Sequence, residues 1–173
     1  MLFRSLAGAL LQSGVLGDRW PNSEAGRAQL TAALSRSDRA LINLVRPLEL
    51  PRFTNLLLLV DQFEEIFRFQ QQDPNEARLF VRMLLTTVRE LQLPVYILLT
   101  MRSDFLGQCP VFEGLPEALN DSQYLCPRMT REQIAEAIEG PAELRGATVE
   151  PALVTRLIND SEVNSDQLPL VQH

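Results

Sequence analysis

No lysine occurs anywhere in the 173 residues, so all sixteen basic side chains are arginines. That absence excludes the conventional phosphate-binding loop, G-x-x-x-x-G-K-[ST]. There, backbone N–H groups cradle the phosphates and the lysine reaches the β and γ oxygens. None of the eight glycines opens such a motif. One histidine, His173, and two cysteines, Cys109 and Cys126, without metal-ligand spacing leave no zinc set. The two thiols read as reduced and the chain as cytoplasmic. No apolar run approaches the roughly 18–20 residues of a membrane span, which argues against a membrane partner. The N-terminal stretch MLFRSLAGALLQSG is interrupted by Arg4 and ended by Gln12, a pattern that fits a helix better than a secretory leader. A net charge of −6 argues against nucleic acid, which calls for a basic face.

What is present is globular. An apolar content of 46% with 22% charged residues suits one ordinary domain with a real core. The organising stretch is Asn55 to Phe69, NLLLLVDQFEEIFRF. Its unbroken run Leu56 to Val60 predicts a strand buried on both faces, as inside a parallel sheet. Asp61 then stands where that strand ends, in the crevice where open α/β sheets bind ligands. Two readings follow. In phosphoryl-transfer enzymes an Asp so placed holds the Mg²⁺ that bridges the terminal phosphates. Alternatively Asp61, Glu64 and Glu65 simply enrich the first turn of a helix in acid, which the helix dipole favours.

Upstream, the spacing predicts a helix over residues 2–13 with Leu2, Leu6, Ala9 and Leu10 on one face. Gly14, Gly17, Pro21 and Asn22 break the chain. Ser23 caps a second helix to about Leu34, and Ser37 a third carrying Leu41, Leu44 and Val45. Downstream, Asp73-Pro74-Asn75-Glu76 is a helix start with cap, N1 proline and N3 acid, and the apolar stripe runs to about Gln92. Val95 to Leu99 is a second buried strand ending at Thr100-Met101-Arg102. Strand, helix, strand with a crossover of this length predicts parallel pairing, which puts Asp61 and Arg102 at the same sheet edge. Arg102 suits a phosphate sensor, and equally suits a structural partner of Asp104.

Shorter helices fill residues 103–122, and Tyr124-Leu125-Cys126 reads as a third short strand. Thr130 and Gln133 form a capping box for a helix to Glu139, bent at Gly140-Pro141, with Gly146 suited to a C′ position. Pro151 starts a further helix with Leu153, Val154, Leu157 and Ile158 apolar. Glu64 and Glu65 are sequence neighbours and diverge on a helix, which disfavours a carboxylate-pair hydrolase.

Four segments carry a family resemblance. DQFEEIF, Asp61 to Phe67, resembles the Walker B of STAND-class P-loop NTPases, and in particular of the bacterial novel STAND NTPase 1 (nSTAND1) proteins. LLTMRSDFL, Leu98 to Leu106, resembles that family's sensor 1 strand. PRMTREQIAEAIEGPAELRGATVEPALV, Pro127 to Val154, is similar to its helical lid. LPLVQH at the end is similar to the motif on the next helix, although Gln167 stands where the family commonly has glycine.

The resemblance implies an α/β fold, a partial P-loop NTPase (AAA+/STAND-like) three-layer core with parallel strands, followed by an α-helical lid. Residues 1–122 would form the partial core, and 123–173 the lid and the start of the following helical module. It further implies a fragment of a signalling ATPase that binds ATP between core and lid and uses hydrolysis as a conformational switch. By carry-over, Asp61 would hold Mg²⁺, Glu65 would polarise the attacking water with Glu64 assisting, Arg102 would sense the γ-phosphate and Pro169 would contact the adenine. Protein partners would engage through other domains. Without the P-loop the isolated chain is expected to be inactive. The rival expectation is a degenerate, non-enzymatic interaction module that keeps the fold.

Overall fold

The computed structural model describes residues 1–16, 20–48 and 50–163, with side chains described to residue 160. The readings placed on Gly17, Gln167, Pro169 and the terminal LPLVQH lie outside the described residues. Two compact units divide the chain, Met1–Gln123 and Tyr124–His173.

The first unit is built around one long amphipathic helix. Helices α1 (Leu2–Gln12), α2 (Glu24–Leu34) and α3 (Ala40–Val45) precede strand β1 (Leu56–Val60), and α4 (Glu65–Gln72) and α5 (Pro74–Val88) lead to β2 (Val95–Leu99). In α5 the Asp73 carboxylate accepts from the N–H groups of Asn75 and Glu76 at 3.1 and 3.0 Å, with Pro74 at the first helical position. Two of the four orphan donors of that helix end are thereby satisfied. Its buried residues Ala77, Phe80, Val81, Leu84 and Leu85 repeat at helical spacing. That face packs against α1, α3, α4 and β2. From α1 come Phe3, Leu6, Ala7, Leu10 and Leu11; of the expected stripe Leu6 and Leu10 are buried, Leu2 is half-buried and Ala9 is exposed. Ser23 caps α2 as expected, its hydroxyl accepting from Gly26 N–H at 3.1 Å. Gly26 is required there, because a Cβ would stand 2.0 Å from the carbonyl oxygen of Pro21.

Two helix ends depart from expectation. The third helix starts at Ala40 after Arg39, and Ser37 instead opens a turn in which its carbonyl accepts from Ala40 N–H at 3.2 Å. Helix α5 stops at Val88, four residues early, and Leu91 is 94% exposed. The chain must reverse before Pro94 to lay β2 beside β1. It does so with tight bonds, Glu90 N–H to Thr87 O at 3.2 Å and Leu93 N–H to Glu90 O at 3.0 Å.

β1 and β2 pair in parallel, with Leu56 opposite Val95 and Val60 opposite Leu99. Leu56, Leu58, Val60, Val95, Ile97 and Leu99 face the core. Leu57, Leu59, Tyr96 and Leu98 do not, and remain 52–62% exposed. The expectation of burial on both faces is therefore corrected. The apolar run is unbroken in sequence, but side chains alternate across a strand, and the crossover helices serve one face only. Among the described residues the three-layer core is thus two layers, a sheet with helices on one side. The mixed helical and parallel-stranded α/β class itself stands.

After β2 a 3₁₀ segment, Ser103–Val111, leads to α6 (Leu115–Asn120). Phe105 and Phe112 lie on Phe67 of α4, at ring-centroid distances of 5.9 and 6.0 Å. Cys109 is buried in the core, and burial pushes its thiol pKa up, which makes it a poor nucleophile.

In the second unit no strand forms at Tyr124-Leu125-Cys126; the three residues are exposed and irregular. Their β-propensity is not enough without a neighbouring edge to pair with. Helices α7 (Arg131–Glu143) and α8 (Pro151–Val163) follow. The capping box is present, Gln133 N–H to Thr130 Oγ1 at 3.3 Å and Thr130 N–H to Gln133 Oε1 at 2.9 Å. Helix α7 continues through Gly140 and Pro141 to Glu143 instead of ending at Glu139, so the proline falls in its last turn. Beyond its end at Glu143 the chain turns at Gly146, φ 71°, with Ala147 N–H bonded to Ala142 O and Gly146 N–H to Glu143 O, both at 2.9 Å. Ile134, Val154 and Ile158 form a small core between the two helices. Among the described residues no helix is long and apolar enough to cross a membrane.

Candidate functional site

The parallel register carries both strand ends to one edge. Val60 is opposite Leu99, so the next pair along the ladder is Asp61 and Thr100. Thr100 closes the edge with four contacts. Its N–H donates to Val60 O at 3.1 Å, and its carbonyl accepts from Phe63 N–H at 2.8 Å. Its hydroxyl accepts from Gln62 N–H at 3.0 Å and donates to Asp61 Oδ1 in a short hydrogen bond. Between them Gln62 takes φ 52°, the left-handed region that a side chain of this size adopts at a cost of about 1 kcal/mol or more. That turn re-aims the chain from β1 into α4 within four residues. The backbone after Asp61 is thus fixed from the neighbouring strand while Asp61 itself stays exposed.

Glu64 is the residue before α4, and Glu65 is its first. Glu64 is half-buried, and its Oε2 is enclosed without a hydrogen-bond partner. Glu65 is ion-paired with Arg68 one turn along the helix, its side chain 44% exposed. Both acids therefore stand at the N-terminal end of α4, where the helix dipole favours negative charge. Neighbouring positions on a helix diverge, and the two differ in setting as well: one closed in, the other paired at the surface.

Arg102 follows β2 by three residues. Its Nε donates to Asp104 Oδ1 at 3.1 Å and its Nη2 to Oδ2 at 3.0 Å, a two-pronged ion pair. The guanidinium carbon is 5.9 Å from the centre of the Phe105 ring. Hydrogen bonds from Arg102 hold the Asp104 carboxyl below its ordinary pKa. The pairing that sequence allowed between Arg102 and Asp104 is therefore present in this structure.

Asp61, Glu64, Glu65 and Arg102 thus all follow the carboxyl ends of the two paired strands, and Pro169 lies outside the described residues. Thr100 was not foreseen as a site residue. The signal was available, as a hydroxyl-bearing β-branched residue directly after five apolar ones and level with the acid.

Among the described residues no group of three or more His, Cys, Asp or Glu side chains could hold a metal ion. A single carboxylate is compatible with a cation that takes its other ligands from substrate. Mg²⁺ is commonly held by one or two carboxylates together with substrate phosphates. Asp61 offers an exposed carboxylate with one oxygen oriented by Thr100.

A parallel pair of strands with acids and an arginine following its carboxyl ends has the mixed α/β arrangement whose sheet edge can receive ligands. The sequence profile of one family, Novel STAND NTPase 1 (nSTAND1), matches residues 3–173. The chain belongs to that family. No curated protein and no solved structure matches it.

Proposed function

We propose that this chain supplies the Walker B and sensor 1 part of an ATP-driven conformational switch. The observation that carries the reading is the shared edge, where Asp61, Glu64, Glu65 and Arg102 all follow the ends of two hydrogen-bonded parallel strands. In this reading Asp61 holds Mg²⁺, which would neutralise charge on the terminal phosphates. Glu65 orients and deprotonates the attacking water, Glu64 assists, and Arg102 contacts the γ-phosphate. Pro169 is proposed as the adenine contact, and the helical pair α7–α8 as the family's lid. ATP is favoured over GTP on family membership alone.

The reading needs a lysine-bearing phosphate loop, and these 173 residues hold none. The chain by itself is therefore expected to show no Mg²⁺-dependent ATP turnover above an Asp61→Ala background. Turnover that disappears in Asp61→Ala would defeat this expectation, because the site would then work without the loop.

A second reading rests on the exposed apolar sheet face of Leu57, Leu59, Tyr96 and Leu98. Contiguous apolar surface of this kind marks association sites, and a non-enzymatic interaction module would use it directly. A mutation pair separates the two. Asp61→Ala and Arg102→Ala should each impair the nucleotide response of an assembly that contains the missing loop. Partner binding indifferent to both substitutions would favour the interaction module.

A further inference from the structure

We infer that Asp104 is a built-in competitor for the anion that Arg102 receives, a carboxylate standing in for phosphate until ligand arrives. This rests on the reading of Arg102 as the phosphate-facing residue and assigns a role to the acid beside it. The geometry is the argument. A guanidinium recognises carboxylate and phosphate through the same fork of parallel N–H donors. Asp104 occupies one edge of that guanidinium, taking Nε at 3.1 Å and Nη2 at 3.0 Å. An incoming phosphate cannot take the same two donors while Asp104 keeps them.

The pair is placed to exchange. Both side chains are about half exposed, 47% for Arg102 and 57% for Asp104, and exposed ion pairs are weak. The arginine is also supported from a second side. Phe105 lies 5.9 Å from the guanidinium carbon and is itself stacked on the buried Phe67, with the ring planes 10° apart. An aromatic platform fixed to the core keeps the cation near its position when the carboxylate leaves. Asp104 is two residues from Arg102 at the start of the 3₁₀ segment, so its release costs no rearrangement of the sheet. Competition of this kind keeps the Arg102 charge paired until a stronger anion takes its place.

The test is a titration of this chain with inorganic pyrophosphate, followed at the Arg102 Nε–Hε resonance by NMR. Asp104→Asn, and separately Asp104→Ser, should tighten the apparent affinity about two- to fivefold, the range expected from losing one exposed pair. Asp121→Asn removes an equal charge elsewhere and should change it by less than about 1.5-fold, which separates local competition from a general charge effect. Equal or weaker binding in both Asp104 variants overturns the inference, as does a resonance that pyrophosphate does not move in any of the proteins. The titration needs neither Mg²⁺ nor turnover. A tightened Arg102 site in a protein that fails every Mg·ATP test would leave the competitor role standing and remove the ATPase reading.

Discussion

Glu65→Gln is expected to lower ATP turnover about 10²- to 10⁴-fold in an assembly that contains the phosphate loop, with ATP affinity unchanged. That is the range supplied by a positioned general base. The amide keeps the size of the side chain and removes its ability to accept a proton, so the loss falls on the chemical step and not on binding. Glu65 is the candidate because it is the first residue of α4, four positions after Asp61 and beyond the end of β1. Its present partner is Arg68, in a half-exposed pair between positions i and i+3. Pairs of that kind are worth about 0.2–0.5 kcal/mol, so substrate can displace the arginine cheaply. Arg68→Ala should accordingly change turnover by no more than a few-fold. Single-turnover kinetics would check both variants. Retention of most activity by Glu65→Gln would move the base role to Glu64, whose enclosed Oε2 has no partner in the present structure.

Phe80→Ala is expected to destabilise the first unit by about 3–5 kcal/mol, as large-to-small changes of buried phenylalanine do. Phe80 is 5% exposed, lies on the inner face of α5, and meets Phe3 of α1 edge to face at 5.6 Å. The substitution loses the burial, opens a cavity, and breaks the aromatic contact that joins the two helices. Domains of this size are stable by only about 5–15 kcal/mol, so the variant should approach the unfolding threshold. Phe53→Ala, at a ring that is 91% exposed, should stay within about 0.5 kcal/mol of the parent. Urea unfolding measures both. A loss below about 1 kcal/mol for Phe80→Ala would contradict the packing of α1 on α5.

The legible parts of the fold were those set by local chemistry. Ser23, Asp73 and Thr130 cap their helices because a side-chain oxygen must satisfy orphan N–H groups, and that requirement is written in three or four adjacent residues. The two strands were legible from their apolar runs, and their parallel pairing from the length of chain between them. Less legible was anything decided by a distant neighbour. Leu57 and Leu59 are as apolar as Leu56 and Leu58, and composition does not say which face a helix will cover. Tyr124 to Cys126 has strand chemistry without a strand to join, and the last turn of α5 gives way to the reversal that β2 requires.

The site shows the same division. The positions of Asp61, Glu64, Glu65 and Arg102 followed from strand ends and spacing. The bond from the Thr100 hydroxyl to Asp61 did not, because it depends on the register between two strands whose partners are 39 residues apart. The left-handed turn at Gln62 was equally hidden, since neither glycine nor asparagine marks it.

The central claim is that Asp61 acts on nucleotide through a divalent cation. Its most direct test is an ATP titration by calorimetry, with Mg²⁺ and with EDTA, on the loop-containing assembly carrying Asp61 or Asp61→Ala. The account predicts that Mg²⁺ tightens ATP binding at least about tenfold, or 1.4 kcal/mol, only when Asp61 is present. An equal Mg²⁺ effect with and without the Asp61 carboxylate would contradict it.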